Sequence, residues 1–165
     1  MVLRALSVVE APKASQPDDY VALAYSERYR RRGLLTTGAG AEILLDLPEA
    51  TELTHGDLLM TEDGRAIEIR ALAEPLAEIR GDGLVRLAWH IGNRHTPCQV
   101  EDDRLLIQRD HVLEDMLAGL GAGVCHVDEP FRPEGGAYGH GRTHAHGHAH
   151  DAFSDPNAHI PHRHD

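Results

Sequence analysis

The 165-residue chain predicts an α+β protein of three parts, namely a small β domain, a second domain of β-α-β-β-α-β order, and a tail without a core. Three observations carry this expectation. The first 70 residues fall into short apolar and β-branched runs separated by Pro, Gly and Asp, the punctuation of strands. Beyond Pro75 the apolar spacing alternates between period 2 and helical spacing. The last 26 residues hold eight of the 13 histidines and almost nothing apolar, so they cannot offset the entropy of folding by burial.

Within residues 1–73, strands are expected at Val2–Val9, Tyr20–Tyr25, Ala41–Leu47, Asp57–Thr61 and Ala66–Ala71. Glu62-Asp63-Gly64-Arg65 closes a hairpin between the last two, because Asp-Gly accepts the positive φ angles that tight turns need. Arg28, Arg30, Arg31 and Arg32 concentrate charge without apolar alternation. That run reads as a solvated loop, with an acidic protein partner as the alternative.

Residues 74–138 form the second part, with Leu72-Ala73-Glu74-Pro75 as the boundary. Leu76–Ile79 reads as a strand, and Leu84, Leu87, Ala88 and Ile91 recur at helical spacing. That helix stops at Gly92-Asn93, both tolerant of left-handed backbone, and Pro97 bars its continuation. Cys98–Val100 and Leu105–Gln108 flank the turn Glu101-Asp102-Asp103-Arg104. Asp110 is an N-cap residue for a second helix with the apolar stripe Val112, Leu113, Met116, Leu117 and Leu120, ended by Gly119 and Gly121. Val124–Val127 is the last strand, and the order obtained matches a ferredoxin-like fold.

The tail, residues 139–165, contains His140, His144, His146, His148 and His150, then His159, His162 and His164. Neutral imidazole is the commonest protein metal ligand and suits nickel, copper and zinc. An engineered tag is usually an unbroken run of histidine, whereas Ala and Gly interrupt this one. Imidazoles on such a segment bind reversibly and release as they protonate near pH 6, which suits transfer of an ion better than storage. Composition does not select the metal. His95 stands alone on its turn, where a histidine is either a hydrogen-bonded surface group or a ligand. Cys98 lies three residues on and is either a buried small side chain or a thiolate ligand. His55 in Thr54-His55-Gly56-Asp57 reads as a turn residue, and His90 and His126 receive no role.

The formal charge is −11 with histidines neutral, and all but two units lie before Glu134, so nucleic acid is not an expected partner. No window approaches the 18 or more apolar residues of a membrane span, and no membrane association is expected. Charges break the apolar stretch Met1–Glu10 too early for a secretory signal. A cytoplasmic location is expected, with Cys98 and Cys125 reduced. There is no His-Glu-x-x-His, no Gly-x-Ser-x-Gly and no phosphate loop, so the chain is not expected to be an enzyme.

Gly92-Asn93-Arg94-His95-Thr96-Pro97, then Arg109-Asp110-His111-Val112-Leu113-Glu114-Asp115-Met116-Leu117, then Pro130-Phe131-Arg132-Pro133-Glu134 running to Tyr138, together resemble the urease accessory proteins of the UreE type. The likeness runs from His55-Gly56-Asp57 through the tail and is weaker over the first 40 residues. It implies a nickel metallochaperone with an N-terminal β domain of peptide-binding character and a ferredoxin-like domain that binds metal and forms a homodimer. By the same resemblance His95 from each of two chains holds one Ni(II) ion. A twofold interface doubles the ligand count from one position. His111 is implied as a secondary ligand, although some members carry another histidine where this chain has Arg109. His144, His146, His148, His150, His159, His162 and His164 would complete a higher coordination number. Trp89 and Ile91 are candidates for the dimer contact. The implied partners are the urease accessory GTPase complex and apo-urease. Zn(II) or Cu(II) would fit the same donors, so a general metal buffering or storage protein is the alternative. A co-chaperone with an incidental tail is a further one.

Overall fold

The computed structural model describes residues 2–10 and 16–135, which form a mixed α+β structure with two sheets and two helices. The first sheet has the strand order β2-β6-β5-β1-β4-β3, built from β1 (Leu3–Val9), β2 (Asp19–Leu23), β3 (Tyr29–Thr36), β4 (Glu42–Glu52), β5 (Leu58–Thr61) and β6 (Ala66–Ala71). The pairs β1/β4 and β2/β6 are parallel and the others antiparallel. Alternate residues face one side of a strand, so Ile43, Leu45 and Leu47 of β4 join Ile67 and Ile69 of β6 in a single core. The backbone N–H of Gly38, just beyond β3, donates to the Tyr20 carbonyl at 2.8 Å, so the sheet curls toward closure at that end. A Cβ on Gly38 would fall 2.3 Å from the Tyr20 ring, so any other residue there would have to displace that ring. The expected hairpin forms at Asp63-Gly64, with Gly64 at φ +84°.

The arginine run is a strand and not the expected loop. Tyr29–Thr36 is the edge strand of the first sheet, where charged side chains meet water. One-sided burial is nearly absent there, since only Leu35 is buried, so apolar alternation had nothing to report. Strand β4 also runs five residues past the expected end at Leu47. The second expected strand ends at Leu23, and Tyr25–Glu27 is instead a single 3-10 turn.

The second sheet has the order β10-β7-β9-β8, with β7 (Ala73–Arg80), β8 (Gln99–Val100), β9 (Leu105–Gln108) and β10 (Gly123–Pro130), all antiparallel. Pro75 lies inside β7 and does not break it. It pairs with Asp128 of β10, while β9 reaches only Leu76–Ile79 on the other side, so the missing N–H removes no bond to β9. Helices α1 (Leu84–Gly92) and α2 (His111–Gly119) cover one face. Leu87, Ile91, Leu113 and Leu117 pack there against Ala77, Ile79, Leu105 and Ile107. Ile91 is thus committed to its own core and is unavailable for a contact between chains. Val112 leaves the expected α2 stripe for solvent, and Glu114 turns inward.

The opposite face of the second sheet carries Leu76, Leu106 and Phe131, all fully buried, with Tyr25 from the first part of the chain packed against them. The Tyr25 and Phe131 rings meet edge to face with centroids 5.3 Å apart. Arg28 is buried in the same joint and donates to the Phe131 carbonyl at 2.5 Å, beside Glu74 at 3.9 Å. Glu74 in turn accepts from the Tyr25 N–H and from Gln108, each at 2.8 Å. A buried charge persists when a partner and hydrogen bonds replace its water, and Arg28 meets both conditions.

Candidate metal centre

Helix α1 ends by a winding of the chain that places His95 in an uncommon conformation. The His95 N–H donates to the Gly92 carbonyl at 2.9 Å and the Thr96 N–H reaches the Ile91 carbonyl at 3.5 Å. This 5→2 and 6→1 pair is the Schellman pattern, which requires a left-handed residue just past the helix. That residue is His95, at φ +55°, and no other non-glycine described residue has positive φ. The sequence points to Gly92-Asn93 for this turn, yet Asn93 stays right-handed at φ −65°. A side chain in this region costs about 1–2 kcal/mol of backbone strain. Strain of this kind gathers at functional positions, and the His95 side chain is held out into solvent.

The second motif is built on the N-terminus of α2. The Asp110 carboxylate accepts the Leu113 N–H at 3.0 Å, the expected cap, and puts His111 at the first helical position, exposed. Glu114 reaches back from the same helix. Its Oε1 accepts from the Asp110 N–H at 3.0 Å and from Arg109 Nε at 2.9 Å, and its Oε2 lies 2.8 Å from His126 Nε2 on β10. Burial pushes this carboxyl up, but Arg109, His126 and the Asp110 N–H together outweigh it and hold it below the usual carboxylate range. Sequence reasoning missed this anchor. Its signal is Asp110-x-x-x-Glu114, one residue longer than the usual capping box.

The two turns meet at one groove of about 250 Å³, lined by Arg94, Thr96, Asp110, Val112, Leu113 and Met116. These include the chain neighbours of His95 and of His111, while neither imidazole lines the groove itself. Both helices also leave apolar side chains uncovered. Val85 and Trp89 are 86% and 62% exposed, four residues apart on the solvent side of α1, and Val112 on α2 is 67% exposed. Arg94 Nη1 donates to the His90 carbonyl at 3.1 Å, and the Trp89 and His90 rings stack edge to face at 5.0 Å.

Cys98 packs with the core of the second sheet, and burial pushes its thiol up to about 11. It is therefore protonated at neutral pH. His55 belongs to the first sheet, where its Nδ1 accepts the Ala71 N–H at 3.0 Å. Burial, with Arg132 nearby, pushes its ring below the ordinary value. Among the described residues no three His, Cys, Asp or Glu side chains are grouped to hold an ion. His144, His146, His148, His150, His159, His162 and His164 lie outside the described residues. Among the described residues no helix is long and apolar enough to cross a membrane.

Residues 74–165 match the family model described as the UreE urease accessory protein, C-terminal domain, and residues 2–72 match its N-terminal domain counterpart. Similar chains named urease accessory protein UreE occur in Ruegeria pomeroyi, 58% identical over 81% of this chain and 90% of the relative, and in Rhodobacter capsulatus, 57% identical over 88% and 92%. A third, from Chelativorans, is 52% identical over 91% of this chain and 98% of its own length. The class is that of accessory chaperones that serve another protein, not of enzymes. Within it, the chain belongs to the UreE family of urease accessory proteins.

Proposed function

We propose that this protein is a nickel metallochaperone for urease maturation, acting as a homodimer whose two His95 imidazoles hold one Ni(II) ion on the twofold axis. The observation that carries the reading is the placement of His95. A histidine occupies a left-handed position that glycine would fill with less strain, its side chain is exposed, and the helix that leads into it carries the exposed apolar residues Val85 and Trp89. An exposed apolar stripe of this kind marks an association surface. Pairing two copies through it would bring each His95 toward its symmetry mate, supplying from two chains the ligands that the described residues of one chain do not group. His111, whose chain neighbours Asp110 and Val112 line that groove, is a secondary ligand. His144, His146, His148, His150, His159, His162 and His164 collect the ion and fill its remaining coordination positions. The cargo then passes to the urease accessory GTPase complex and on to apo-urease.

On this reading residues 1–73 form a β domain of peptide-binding character, 74–138 a ferredoxin-like metal-binding and dimerisation domain, and 139–165 the collecting tail, all in the cytoplasm. The order β10-β7-β9-β8 with antiparallel pairing throughout supports the ferredoxin-like assignment. Calorimetric titration of the full chain and of His95→Ala with NiCl2, alongside sedimentation, tests the proposal. The expected result is one tight ion per two chains, lost in the variant while the dimer persists. An unchanged tight site in His95→Ala, or a monomeric protein, overturns it. Zinc or copper binding at equal concentration with nickel excluded favours general buffering instead.

A further inference from the structure

The first sheet carries an arginine surface that the metal reading does not use. Arg4 on β1 and Arg32 on β3 converge from either side on Asp46 of β4, Arg4 through Nη2 and Arg32 through Nε at 3.6 Å. Arg31 lies close by, with its Nε donating to the Leu47 carbonyl at 3.2 Å. Asp46 is held below the usual carboxylate range by the Arg4 hydrogen bond first, against partial burial, and then by Arg32 and Arg31. Two guanidiniums therefore meet one carboxylate, with a third close by. Glu62 approaches Arg4 alone, where its Oε1 accepts the Arg4 backbone N–H at 3.3 Å. Among the described residues Asp46 is the only carboxylate in an ion pair with Arg31 or Arg32. Both side chains stand in solvent, on a protein whose net charge is −11.

Two further features give this charge a shape. Among the described residues strand β3 is an edge of the sheet that pairs with β4, so the outer N–H and C=O groups from Arg30 to Leu34 form a template for another strand. Two residues past Arg32 on the same face, Leu34 is 53% exposed and lies in register with Leu44 and, beyond it, Arg4. Cations beside an apolar step along an open strand edge fit an extended acidic segment that adds to the sheet.

We propose that the β3 edge, with Arg4, Arg31, Arg32 and Leu34, is a docking surface for an extended acidic segment of a partner protein. Paired carboxylates meet Arg31 and Arg32, and an apolar side chain meets Leu34. A polyphosphate backbone or an anionic membrane would find only this small patch on an otherwise acidic molecule. The surface lies on the sheet that does not carry His95, so a partner is held without occupying the candidate metal groove.

Fluorescence anisotropy with the full chain tests the idea, using a labelled octapeptide of paired glutamates and one leucine among threonines in 50 mM salt. Binding is expected to weaken with added salt, and to fall about tenfold in the double variant Arg31→Gln, Arg32→Gln. The same peptide with glutamines should not bind. Amide exchange should slow along 30–34 on binding, and nickel stoichiometry should be unchanged in the double variant. Arg65→Gln, an exposed charge paired with Asp63 at the β5–β6 turn, removes charge elsewhere and should bind as the parent does. Equal affinity of parent and double variant, equal affinity for the glutamine peptide, or equal loss in Arg65→Gln overturns the proposal. So does tighter binding of decauridylate or phosphatidylserine vesicles than of the peptide. Self-association abolished by the double variant would make the occupant a second copy and overturn it equally.

Discussion

Replacing His95 by glycine separates what the residue does for the fold from what it does for the metal. At φ +55° any side chain strains the backbone, by about 1–2 kcal/mol. Glycine removes that strain, but it also frees the unfolded chain, which offsets about 0.4–1 kcal/mol. The imidazole is exposed and packs in none of the described cores, so little else is lost. His95→Gly should therefore match the parent or exceed it by about 1 kcal/mol, a rise of about 2–4 °C in Tm for a chain of this size. His95→Ala keeps the strain and should lie about 1 kcal/mol below His95→Gly. Urea denaturation of the metal-free proteins at pH 7.5 and one fixed concentration measures this, since dimer stability depends on concentration. Nickel titration of the same samples should show the tight site gone from both variants. The reasoning is refuted if His95→Gly is less stable than His95→Ala, or if it keeps the parent's nickel affinity and stoichiometry.

Three other outcomes follow from the structure. Phe131→Ala should cost about 3–5 kcal/mol in urea denaturation, because the ring is fully buried between Leu76, Leu106 and Tyr25; a cost below 1 kcal/mol would mean the joint is not packed as described. His55 is held neutral when folded, with its ring pushed below the ordinary value, so the unfolded chain takes up its proton first as pH falls. Stability from this residue is complete above about pH 6.5, the unfolded value, and is lost as pH falls toward the folded one; His55→Asn should flatten that part of the stability profile, and NMR titration of the ring should show protonation below the ordinary pH. Truncation after Tyr138 should lower the total nickel bound while one tight ion per two chains remains, as read by metal analysis of the purified protein; loss of the tight ion would place it in the tail.

The two helices were legible because both bury a regular apolar face. Leu87 and Ile91, then Leu113 and Leu117, lie inside as their spacing requires, and Asp110 caps α2 as its type suggests. Strand β3 was not legible, since an edge strand of arginines buries little and leaves no period to read. Glu114 was hidden for the converse reason. A carboxylate in an apolar row looks solvated until Arg109, Asp110 and His126 are seen around it.

The sequence alone determined the α+β class, the β-α-β-β-α-β order, the family, and His95 and His111 as residues to test, because periodicity, caps and motifs are local properties of the chain. Tertiary structure decided that His95 takes the left-handed turn, that Ile91 is buried while Trp89 is open, and that Arg4 and Arg32 meet on Asp46. The first is a local turn whose left-handed residue no glycine marks in the sequence, and the others depend on groups far apart in the chain, Arg4 and Asp46 being 42 residues apart, which no local pattern encodes.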